Sequence, residues 1–274
     1  VNADQDDQLL GGRMAVQLTT SSAITDQINL LSESRQPSEM EIRRVKREIE
    51  QLKNSDIAQH YMLLGMLYSV LGDEDESRAN HEKSLKLSGD VVFLENYAFS
   101  LKRLGRSAEA LSQLSRAFDI CPSLEIFEEV AQAMLYAGDL DDYERVAEKF
   151  KKANPEINFE KVYSARYING VKNHLTAASV SSSDFHRSMA LVENVLTEHG
   201  HRSLLQAIRL SPGRFDDVSH VNIRIIVSVD SSDVLTELNE RIADAMVSAQ
   251  DLEAWNRLVF TVADWVPEHE EEVA

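Results

Sequence analysis

The sequence predicts a mainly α fold, a solenoid of antiparallel helix hairpins, followed by a small α+β domain built on a ββαβ core. Two observations predict it. Gly72, Gly105 and Gly138 stand 33 residues apart, each between two stretches of helical periodicity. A fixed period of that size marks hairpins that bury their apolar faces only by stacking on a neighbour. Far downstream, Val221, Ile223, Ile225, Val227 and Val229 alternate with Asn222, Arg224 and Ser228, the two-residue period of a strand.

The repeat units run over about 58–90, 91–123 and 124–156. In the first, Ala58, Tyr61, Leu64, Gly65 and Tyr68 recur at three- and four-residue steps, Gly72 breaks the helix, and Asp73 is placed to cap the next. The second carries Leu94, Tyr97, Ala98 and Leu101 before Gly105, then Ala110, Leu114, Ala117 and Pro122. The third carries Phe127, Val130, Ala131 and Met134 before Gly138, then Tyr143, Ala147, Phe150 and Pro155. Both prolines stand where a second helix must stop.

Upstream, Thr25 to Glu33 and Ser38 to Lys53 read as two helices parted by Pro37, with Ser38 and Glu41 spaced as a capping box. The basic run Arg43, Arg44, Lys46 and Arg47 reads as a solvated helix face, and the hairpin as a cap on the first repeat. Downstream, a closing helix is expected over Ile157–Leu175, a linker over Thr176–Asp184 and a helix over Asp184–His199. A strand Ser203–Leu210 follows, joined through a Ser211-Pro212-Gly213 turn to the alternating strand. Asp230-Ser231-Ser232 caps a helix reaching Met246, and Leu258, Phe260 and Val262 mark a last strand. This order fits a ferredoxin-like sandwich lacking its first strand. The expected domains are 1–57, 58–180 and 181–274, with an unpatterned stretch at 1–20 and an acidic, solvated tail at Glu268–Glu272.

A net charge of −18 disfavours nucleic acid and anionic lipid as partners and favours basic ones. Cys121 is the only cysteine, no apolar run approaches a membrane span, and the first residues are acidic rather than signal-like. The expected location is cytoplasmic, and a start at Val1 suggests a trimmed chain. Catalytic motifs are missing: Gly11-Gly12-Arg13 lacks the spacing and lysine of a phosphate loop. His199, His201 and His220 form no recognised ligand pattern, and Asp216-Asp217 beside Arg214 is ordinary turn composition. No catalytic residue, metal or cofactor is expected.

The three glycine-centred units resemble the tetratricopeptide repeat family. Tyr61, Leu64, Gly65, Tyr68 and Gly72 match its pattern in the first unit; Ala98, Gly105, Ala110, Leu114, Ala117 and Pro122 in the second; Ala131, Gly138, Ala147 and Pro155 in the third. Ser77, His81, Ser84 and Gly89 depart from it. The resemblance implies a scaffold or adaptor that holds a peptide or protein on a concave face lined by the first helix of each hairpin. By register the candidate contacts are Met62, Met66, Val70, Glu95, Phe99, Lys102, Arg103, Gln132 and Tyr136, with Gln59, Glu125 and Glu128 beside them. The guest would be amphipathic or basic. The carboxylate-gripping set of chaperone-binding repeats is not reproduced: of Met62, Met66, Asn96, Glu125 and Glu129, only Asn96 fits it. Two other readings stay open: an acidic chaperone or immunity-type neutraliser of a basic partner, and an enzyme seated in the last domain with the repeats recruiting its substrate. Flanking segments of the chain are a further candidate for filling the hollow.

Overall fold

The computed structural model describes residues 21–32, 37–200, 205–227, 229 and 231–264. The fold is mainly helical, with a small sheet late in the chain, and divides into two compact units, Val1–Ser100 and Leu101–Ala274. No helix among the described residues is long and apolar enough to cross a membrane. The expected stretch 1–20, His201 and the Glu268–Glu272 tail lie outside the described residues.

The first unit holds α1 (21–32), α2 (Glu39–Gln51), α3 (Ile57–Leu71), α4 (Glu74–Leu87) and most of α5 (Val91–Arg103). The capping box at Ser38 forms as expected, and Asp56 and Asp73 cap α3 and α4 by accepting from Gln59 N and Glu76 N. Ile24, Ile28 and Leu31 of α1, Val45 and Ile49 of α2, and Met62, Leu63, Leu64, Met66 and Leu67 of α3 form one apolar core. Helix α3 is apolar on nearly every side, and such a helix is stable only when covered on every side. Helix α4 meets it with a polar face. Ser77, Asn80, His81 and Ser84 are all buried there, and Ser77 Oγ donates to Gly65 O at 2.8 Å. The His81 ring stacks on Tyr97 at 4.7 Å and pairs through Nε2 with Ser100 Oγ at 2.8 Å. A Cβ on Gly65 would stand 2.5 Å from the His81 ring, so only glycine leaves room for it.

The second unit continues with α6 (Ser107–Ile120), α7 (Leu124–Ala137), α8 (Tyr143–Ala153), α9 (Tyr163–Ala177) and α10 (Ser182–Glu198). The three spaced glycines do the same work. Each has positive φ, and the residue after it donates its N–H to a carbonyl five residues back: Asp73 to Tyr68, Arg106 to Leu101 and Asp139 to Met134. Phe127 is fully buried, stacked on Phe150 at 4.6 Å and edge-on to Phe159 at 5.6 Å. The closing helix starts later than expected, at Tyr163. Asn158 takes Glu160 N into a short 3-10 turn first, and Val162 is extended. The segment expected as a linker is a tight turn, with Ser179 at φ 55° and Ser181 capping α10. Helix α10 then packs on α7, where Met189 lies so close to Gly138 that a Cβ there would come within 2.8 Å.

The sheet comprises β1 (Leu205–Phe215), β2 (Val218–Val227) and β3 (Leu258–Asp264), in the order β1-β2-β3, with α11 (Ser232–Ser248) between the last two. β1 and β2 are antiparallel, β2 and β3 parallel. The expected ββαβ order is present. In the ferredoxin-like arrangement a further strand would separate β2 from β3; here they pair directly. The expected turn at Ser211-Pro212-Gly213 is a correction. These residues lie inside β1, and the chain reverses at Asp216-Asp217, with Asp216 at φ 48° and Arg214 bridging to Asp216 O and Asp217. Pro212 is tolerated because β1 is an edge strand.

Both edges of the sheet are met by side chains. Tyr167 Oη accepts from Leu210 N at 3.0 Å and donates to Ile208 O at 3.3 Å on β1. On β3, Asn239 Oδ1 accepts from Val262 N at 2.8 Å while its Nδ2 donates to Val262 O at 2.9 Å.

Candidate binding cleft

Within the second unit, α7, α9, β1 and β2 enclose a cleft of about 900 Å³. Its α7 wall carries Glu128, Ala131, Gln132, Leu135 and Tyr136, one helical face at three- and four-residue steps. Its α9 wall carries Tyr163 and Tyr167, four residues apart and therefore neighbours, with ring centroids 6.0 Å apart and planes at 17°. The sheet wall is β1 from Ala207 to Ser211, with Arg224 of β2.

Three tyrosines give this cleft flat apolar faces with polar tips, the combination that anchors partners at interfaces. Tyr163 is 68% exposed and so available. Tyr167 is held in place by its two bonds to β1, and burial raises its phenol pKa. Tyr136 is half-buried, and its pKa is raised by burial first and by the Glu129 carboxylate second. Both phenols stay neutral hydrogen-bonding groups at physiological pH. Lys102 Nζ bonds Glu129 at 2.8 Å and Gln132 Oε1 at 3.2 Å, which holds the lysine against this face of α7.

The residues expected to line a groove separate into three groups. Met62 and Met66 are a correction: they are 4% and 1% exposed, in the core under α1 and α2, and unavailable to a guest. Helical register shows which residues share a face but not what covers it; here residues of α1 and α2 share their core, and Asn96 Nδ2 of α5 reaches Met62 Sδ at 3.5 Å. Val70 and Glu95 are half-buried and Phe99 is 43% exposed, all in the first unit. Lys102, Arg103, Gln132 and Tyr136 belong to the second, and Gln132 and Tyr136 face the cleft. Burial lowers the Arg103 pKa to about 10, which leaves it cationic at neutral pH.

Tyr163, Tyr167, Arg209 and Arg224 were not among the expected contacts. The i, i+4 tyrosine pair was readable on the closing helix, whereas the arginines become neighbours only in the true strand register. His199 Nδ1 pairs with Val195 O at 2.8 Å, and no group of three metal-ligating side chains gathers among the described residues. Set against protein-family models, curated proteins and solved structures, the chain matches none of them.

Proposed function

We propose that this chain is a binding adaptor whose helix hairpins are tetratricopeptide-like and which holds a peptide segment of a partner protein in the cleft of its second unit. The observation that carries this reading is the tyrosine-lined cleft of about 900 Å³ on the face of α7 where Gln132 and Tyr136 were expected to meet a guest. Supporting the repeat reading are the three left-handed glycines with identical turn hydrogen bonds at one period.

The test is selection of peptides from a displayed random library on the full chain, followed by affinity measurement on Tyr163→Ala. Tyr163 is largely exposed, so its loss leaves the fold intact. Selected peptides should weaken about tenfold or more, as for an aromatic anchor. Unchanged affinities, with crosslinks from a photoreactive residue at position 163 missing every bound peptide, would reject the cleft.

A further inference from the structure

Resting on the cleft reading above, we propose that the bound segment is acidic: an extended partner peptide that lays an aromatic or aliphatic side chain on Tyr136, Tyr163 and Tyr167 and a carboxylate on Arg224, next to the charge of Arg209. The sheet wall carries the argument. Arg209 and Arg224 are register partners across β1 and β2, so their side chains leave the same face, and Thr261 completes the row on β3. All three are exposed. Directly opposed residues in an antiparallel ladder have Cβ atoms about 5 Å apart, where like charges repel. The Arg224 guanidinium so placed offers a fork of donors suited to a carboxylate, with the positive charge of Arg209 beside it. Arg224 makes no hydrogen bond or ion pair to any described residue.

The wall runs against the charge of the whole chain. At −18 the protein as a whole favours basic partners, yet among the described residues the cleft lining holds two arginines and one carboxylate, Glu128 on the opposite wall. At physiological salt, fields fade over about 8 Å, so a seated ligand is governed by the groups touching it. Glu128 and the arginines then orient the guest, acid toward the sheet and a donor toward α7. Strand addition is closed as a mode, because Tyr167 occupies the β1 edge at Ile208 and Leu210, and Pro212 offers no N–H beyond them. The guest is therefore held by side chains.

The experiment uses the full chain and three fluorescein-labelled peptides of about eight residues. Each has one central tryptophan, flanked by glutamates, glutamines or lysines. Fluorescence anisotropy should show the glutamate peptide binding about tenfold more tightly than the glutamine peptide, with the lysine peptide weakest. Arg224→Glu should abolish that preference and favour the lysine peptide, while Tyr163→Ala should weaken all three alike. Circular dichroism confirms that each variant is folded, and Arg209→Glu repeats the charge reversal. Equal binding of glutamate and glutamine peptides would overturn the acidic preference while leaving the cleft standing. No binding by any of the three would overturn both. If the glutamate peptide bound only after Glu268, Glu270, Glu271 and Glu272 were changed to glutamine, the occupant would be the chain's own tail, and the partner proposal would fall.

Discussion

Burial of His81 predicts that the first unit loses stability in mild acid. The ring is 1% exposed, and desolvation lowers its pKa from 6.5 to about 3. An unfolded chain offers the same imidazole to water at about 6.5, so below that value the unfolded state binds a proton that the folded state refuses. The sign follows: stability is whole above about pH 7 and falls as pH drops through 6.5, until the folded ring itself protonates near 3. At pH 5.0 the gap is about 1.5 pH units at about 1.36 kcal/mol each, or about 2 kcal/mol; at pH 7.5 it is under about 0.1 kcal/mol. His81→Phe keeps a ring beside Gly65 and Tyr97 but cannot titrate. It also strands the Ser100 hydroxyl, so its baseline stability is lower, and only its change with pH matters. Hydrogen exchange of the α3 and α4 amides reads this unit directly, whereas Trp255 lies in the second. Wild type should lose about 2 kcal/mol more than His81→Phe between pH 7.5 and 5.0. Equal losses in the two proteins would refute the assignment.

Three further outcomes are expected. Tyr167→Phe removes the hydroxyl serving Ile208 O and Leu210 N; it should cost about 1–3 kcal/mol and speed exchange at the Leu210 amide, and unchanged exchange would count against the edge contact. Gly138→Ala places a methyl within 2.8 Å of Met189 and 2.9 Å of the His186 backbone at φ +67°, so it should destabilise the second unit by more than the ~1 kcal/mol of the backbone conformation alone, measured as a urea midpoint by tryptophan fluorescence. Glu193 accepts from Ser107 N and Oγ at the start of α6, and burial raises its pKa. Its contribution is whole below the unfolded carboxyl value and lost as pH rises through the raised folded value, so the stability of Glu193→Gln relative to wild type should improve from pH 4 to 7. A relative decline would contradict it.

Helix termini and turns were legible because local chemistry decides them. A glycine at positive φ, an aspartate or serine accepting from an N–H three residues on, and a proline after a last turn act within a few residues of chain. The Ser38 box, Asp73 and the three glycines are of this kind. What fails is whatever depends on a distant partner. Met62 and Met66 read as groove residues because nothing local announces that they join one core with residues of α1 and α2. The all-round apolarity of α3 was the available signal. The hairpin shows the same limit. A turn at Ser211-Pro212-Gly213 looks stronger than Asp216-Asp217, and it would set Arg209 opposite Phe215 rather than Arg224. Four residues of displaced turn were enough to hide the arginine pair, and with it the charge of the cleft.

The side-chain closures at Ile208–Leu210 and Val262 carry a consequence for solution behaviour. Three strands alone make a small raft with two open margins, and open margins recruit other molecules. Here one phenol and one carboxamide stand in for the missing neighbours, each satisfying a donor and an acceptor together. Masking of the two margins thus hangs on two side chains far apart in the chain, and replacing Asn239 by leucine should uncover the β3 margin, read as self-association that grows with concentration.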